Sequence, residues 1–136
     1  MFYKIFADII VVLHFIWIIF MLIGFFLTIY GFFREKFFDW WLFRTIHLLG
    51  ILFVGILTVL QRFCPLTILE NVSRARYSPE NTYPGSFIVH YIEKLVYPDV
   101  NQTLLRIATV FVALFILVVY ITKPPEKIKE FFRSKT

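Results

Sequence analysis

Three long apolar blocks, at about residues 5–31, 40–63 and 102–122, constrain this chain more than any motif it carries. Each reaches the roughly 20 residues an α-helix needs to cross a bilayer. A soluble domain keeps about a quarter of its residues charged, whereas here 60% of the 136 residues are hydrophobic and only 17% are charged. The expected class is an all-α membrane protein with three transmembrane helices. One membrane domain is expected over residues 1–123, followed by a basic amphipathic tail over residues 124–136. The net charge of +5 does not point to nucleic acid, because the basic residues flank the apolar blocks, where they orient spans and meet anionic lipid. The expected partner is the lipid bilayer, together with other membrane-protein subunits or a second copy of the chain.

The first block is longer than the apolar core of a signal peptide, roughly 7–15 residues, and no small-x-small site closes it, so it reads as a retained span. Its only charged or imidazole side chains are Asp8 and His14. Asp8 follows Lys4 by one helical turn, and a histidine at the depth of His14 is expected to face protein, because polar groups are costly in hydrocarbon. Asp39 is placed to cap the second span. In that span Arg44, Gly50, Thr58, Gln61 and Arg62 all fall within about 60° of His47 around the helix, with Thr45 on the far side. In the third, Gln102, Thr109, Ala113 and Tyr120 fall within about 60° of Arg106. Such stripes serve helix packing or line a buried polar site.

The second span ends at a corner, Phe63-Cys64-Pro65-Leu66-Thr67-Ile68-Leu69-Glu70-Asn71. Proline is expected to stop the span, and Thr67 with Glu70 matches a capping box that starts a new helix. Two short interfacial helices are expected in the long loop, at about residues 67–76 and 87–97. The second is capped by Ser86, ended by Pro98, and carries His90, Glu93 and Tyr97 on one face. The polar cluster expected near this corner comprises Asp8, Arg106, Glu70, Cys64, Arg62 and Gln61, with Asp8 the first candidate partner for Arg106 and Glu70 the second.

Seven cations (Arg34, Lys36, Lys123, Lys127, Lys129, Arg133, Lys135) lie on the hairpin-and-tail side, and five (Lys4, Arg62, Arg74, Arg76, Lys94) on the other. The positive-inside rule then puts the tail in the cytoplasm, with the N-terminus and long loop outside a multi-pass cell membrane.

The chemistry open to these residues is limited. His14, His47 and His90 are candidate haem or metal ligands, but HExxH, CxxC and i,i+4 histidine pairs are all missing. In a core of about 30 Å, His14 and His47 are expected to differ in depth by roughly 8 Å. His14 with His90 or Cys64 is the easier pairing. Cys64 reads as a small residue packed at a helix end, or as a nucleophile activated by Arg62 and a histidine. Asp8, His14 and Arg106 could also form a buried proton relay.

The pieces Ala7-Asp8, Leu13-His14-Phe15, His47, Cys64-Pro65-Leu66-Thr67, Leu69-Glu70-Asn71, Gly85-Ser86-Phe87-Ile88-Val89-His90-Tyr91 and Tyr97-Pro98 resemble a bacterial family of small integral membrane proteins known as domain of unknown function 2784. The resemblance covers roughly residues 7–122 and implies architecture rather than chemistry. The expected function is a non-catalytic accessory or structural component of a membrane assembly. The alternatives are a haem- or metal-binding redox protein and, third, a small enzyme built on Cys64.

Overall fold

The computed structural model describes residues 1–85, 87–95 and 101–136. Among the described residues six α-helices carry the fold: α1 (Phe2–Gly31), α2 (Trp41–Val59), α3 (Pro65–Tyr77), α4 (Phe87–Leu95), α5 (Gln102–Thr122) and α6 (Glu126–Ser134). A short 3-10 turn at Glu35–Asp39 joins α1 to α2, and another at Pro79–Asn81 follows α3. Three helices, α1, α2 and α5, are long and apolar enough to cross a membrane. At 1.5 Å per residue α1 is about 45 Å long and α2 about 28 Å. Their outward faces remain apolar, with Phe26 63% and Phe111 68% exposed, as expected of helices surrounded by hydrocarbon. The cap proposed at Ser86, Tyr97 and the stop at Pro98 lie outside the described residues.

The three long helices meet through small residues. A Cβ on Gly24 would lie 2.1 Å from the His47 ring, so α1 offers a bare backbone on which that imidazole sits. Gly50 of α2 receives Met21 and Trp17 of α1 in the same way, and Gly55 of α2 approaches Ala113 of α5. Met21, Leu48, Ile51, Ala113 and Ile116 form the buried apolar centre among them. Thr45, expected on the far side of α2, hydrogen-bonds to the Tyr120 hydroxyl of α5 at 2.8 Å. α2 is sandwiched, so it needs two working faces: His47 and Gly50 meet α1, while Thr45 and Gly55 meet α5.

Both expected helix signals at the ends of α2 are corrected. Asp39 does not cap α2: its N-cap is Trp40, with no side-chain cap, and Arg44 instead reaches back to the Phe38 carbonyl at 2.7 Å. Nor does Pro65 end the span. α2 stops at Val59 because Gln61 adopts a left-handed conformation with φ of 53°. The Arg62 N–H then bonds the Leu57 carbonyl at 2.9 Å and the Gln61 N–H bonds that of Thr58 at 3.2 Å, the paired bonds of a Schellman stop. Pro65 occupies the first turn of α3, where its missing N–H costs nothing. A left-handed non-glycine residue is strained, so Gln61→Gly is expected to raise unfolding stability in detergent by up to about 1 kcal/mol. A neutral or destabilising result in a denaturant titration would show that the Gln61 side chain more than offsets its backbone strain.

α5 is capped by Asn101, whose side-chain oxygen accepts from the N–H groups of Thr103 at 2.9 Å and Leu104 at 3.2 Å. The tail is helical, and Lys127 places its ammonium over the Trp41 ring, joining α6 to the start of α2.

Candidate functional site

α3 packs lengthwise against α1, its most extensive partner. The buried positions are Ala7, Ile10 and His14 on α1 and Thr67, Glu70 and Ser73 on α3. The usual polarity of an amphipathic helix is therefore inverted in α3: polar groups point inward, while Ile68, Leu69 and Val72 are exposed. Antiparallel packing carries Arg76 back to the start of α1, where it donates to the Tyr3 hydroxyl at 3.0 Å.

Glu70 is the centre of the inward face and has no exposed surface. One carboxylate oxygen takes the Arg74 Nε at 2.9 Å and the Tyr91 hydroxyl at 3.4 Å, and the other takes the Tyr83 hydroxyl at 2.8 Å. Arg74 also donates to the Tyr91 oxygen at 3.0 Å. Asn71 clamps the Tyr83 backbone from both sides, donating to its carbonyl and accepting from its N–H. Burial, followed by Glu70 itself, pushes the Tyr83 hydroxyl far above the ordinary phenol range, so it stays a donor. The ring of His90 stacks on Tyr83 with centroids 3.9 Å apart, and burial, then Lys94 and Arg74, hold His90 below the usual imidazole range. Every group around the carboxylate is satisfied, which is the condition under which a buried charge is tolerated. The cluster is built to hold α3, the loop and α4 together.

This arrangement corrects two expectations. Thr67 and Glu70 do not form a capping box: Cys64 is the N-cap, and Glu70 is drawn into the tertiary network. Glu70 pairs with Arg74, the one ion pair among the described residues. Asp8 is exposed and pairs with neither Arg106 nor Lys4.

A second feature lies between α1, α2 and α5. A cavity of about 400 Å³ opens there, within the roughly 300–1,000 Å³ range of ligand sites, floored by apolar side chains such as Trp17, Met21, Phe25 and Val112. His14, Gln61, Arg62, Cys64 and Arg106 all line it, so the structure brings together five of the expected site residues. His14 is 5% exposed and stacks on Phe87 of α4 with centroids 4.0 Å apart. Its Nδ1 is buried without a hydrogen-bond partner. Such an orphan costs about 1–3 kcal/mol.

The three histidines are not gathered around one point. His47 is 2% exposed, with its Nε2 3.0 Å from the Met21 carbonyl and its ring parallel to Phe43. It sits against Gly24, ten residues beyond His14 and so roughly 15 Å further along α1. Among the described residues no three His, Cys, Asp or Glu side chains come together as a metal-binding group. Aromatic contact does link the two polar features: His14 stacks on Phe87, Phe87 touches Tyr91, and Tyr91 reaches Glu70. Arg74 had a sequence signal, its i,i+4 spacing from Glu70. Tyr83 and Tyr91 had none, since they arrive from a loop and another helix.

These features define an all-helical protein in which three helices able to cross a membrane line an open apolar chamber with a polar mouth, beside a buried carboxylate network. The chain belongs to the family described as "Protein of Unknown function (DUF2784)", whose model matches residues 4–125. The chamber and the Glu70 network lie within that stretch, and α6 lies beyond it. No curated protein and no solved structure matches the chain.

Proposed function

We propose that this is a small non-catalytic accessory protein of the cell membrane whose chamber holds one hydrophobic, lipid-like molecule. The observation that carries the reading is the roughly 400 Å³ apolar cavity with the buried ring of His14 in its wall. In this reading α1, α2 and α5 span the bilayer, with the N-terminus, α3 and α4 outside and α6 in the cytoplasm. The exposed Ile68, Leu69 and Val72 on α3 support a seat for that helix in the outer leaflet. The apolar outer faces of the spans support docking to other membrane subunits or to a second copy.

Native mass spectrometry of the protein released from mild detergent tests the chamber. One retained hydrophobic molecule per chain is expected, and Ala108→Trp, which projects bulk from the cavity wall, is expected to expel it. Empty, fully folded protein would overturn the reading. A second reading is a haem or metal ion bound through His14, whose ring lines the cavity. A Soret band, or metal in stoichiometric amount, would replace the lipid with that cofactor.

A further inference from the structure

We infer that the chamber selects an anionic lipid bearing a phosphate headgroup, held between Arg62 and Arg106. This rests on the chamber reading above and names the chemistry of its occupant.

Helix register brings Arg62 and Arg106 to the same end of the α2–α5 pair. α2 and α5 are antiparallel: Gly55 meets Ala113 at one level, and Thr45 meets Tyr120 further along. Arg106 comes seven residues before Ala113, roughly 10 Å from that contact along α5, and Arg62 follows the end of α2 on the same side of it. Both line the cavity, and no carboxylate lines it among the described residues. Neither arginine has an ion pair or a side-chain hydrogen bond among the described residues. Both arginines are exposed at the cavity mouth, where an anion between them would be attracted by both. Guanidinium groups match phosphate oxygens in geometry as well as in charge.

The same register places His14. Gly24 of α1 seats His47, and Gly50 of α2 seats Met21 and Trp17, so His14 is level with about Leu57 of α2. Arg62 lies just beyond that level, its N–H bonding the Leu57 carbonyl at 2.9 Å, so the imidazole falls where ester or glycerol oxygens lie beneath a lipid phosphate. There the His14 ring forms part of the cavity wall. Further down, the chamber wall is apolar, with Met21, Leu22, Phe25 and Phe26 offering a surface for an acyl chain. Arginines that merely snorkelled to bulk headgroups would require neither an apolar cavity beneath them nor a buried imidazole in its wall.

Competition between phosphatidylglycerol and phosphatidylcholine with identical chains, read by native mass spectrometry on the full-length protein, is the test. Roughly tenfold preference for phosphatidylglycerol is expected. Arg62→Gln with Arg106→Gln is expected to abolish that preference while a lipid still binds, and exposed Arg76→Gln to leave it intact. Circular dichroism melts establish that each variant is folded. Oleate competing as well as phosphatidylglycerol would make the ligand a carboxylate, and inorganic phosphate alone filling the site would make it a free anion; either overturns the proposal. Lipid bound without headgroup preference would overturn the proposal and leave the chamber reading standing. A chain that binds no lipid would remove both.

Discussion

Glu70→Ala is expected to destabilise the protein by about 3–5 kcal/mol, the cost of leaving one member of a buried ion pair unpartnered. The carboxylate is fully buried and accepts from Arg74, Tyr83 and Tyr91. Removing it strands a guanidinium group and two hydroxyls at once. Denaturant unfolding in a neutral detergent measures the loss, with tryptophan emission and circular dichroism as probes. Tyr83→Phe removes a single bond to a charged group and is expected to cost about 1.5–3 kcal/mol. Combining Glu70→Ala with Arg74→Ala is expected to cost less than the sum of the two, because the second change removes the charge stranded by the first. A loss below about 1 kcal/mol for Glu70→Ala would mean that the network does not hold α3 to α1.

Gly24→Ala is expected to cost on the order of 3 kcal/mol, from overpacking together with a buried imidazole that loses its partner. The added methyl would lie 2.1 Å from one atom of the His47 ring and 2.3 Å from its Nε2. His47 has no free space to move into, being 2% exposed and stacked on Phe43. The ring must leave, and its contact with the Met21 carbonyl at 3.0 Å is then lost. His47→Ala makes room for the methyl, so adding Gly24→Ala to that background is expected to cost little further. Equal melts for Gly24→Ala and the parent would show that α1 and α2 are not seated on this contact. The two variants probe different halves of the molecule: one the α1–α3 brace beside the chamber, the other the α1–α2 interface beneath it.

Much of the frame was legible because it rests on run length and periodicity. The apolar blocks placed the three long helices, and the stripe containing His47, Gly50, Gln61 and Arg62 marked the side of α2 that meets α1 and the chamber. The site was legible only as a set of residues. Arg62, Gln61, Cys64, His14 and Arg106 do share a cavity, but Asp8 does not join them, and Glu70 belongs to a different cluster. Local motifs misled where tertiary contact offered a stronger partner. Thr67 and Glu70 have capping-box spacing, yet two tyrosine hydroxyls and Arg74 satisfy the carboxylate more completely than one backbone N–H. The stop at Gln61 was hidden for another reason: it uses a left-handed backbone without the glycine that normally announces one.

By itself the sequence determined the helical class, the number of long apolar helices and their rough bounds, and the basic amphipathic helix at the end. Those properties follow from the hydrogen-bonding needs of the backbone in an apolar setting and from which side chains fall on one helix face. Only the tertiary structure decided which polar groups are partnered and which are left over. Partnership depends on register between helices distant in sequence, and register here is set by three glycine contacts, Gly24 with His47, Gly50 with Met21, and Gly55 with Ala113. That register satisfies His47 and encloses Glu70. It also leaves the His14 ring, Arg62 and Arg106 around one cavity, the two arginines with no ion pair among the described residues.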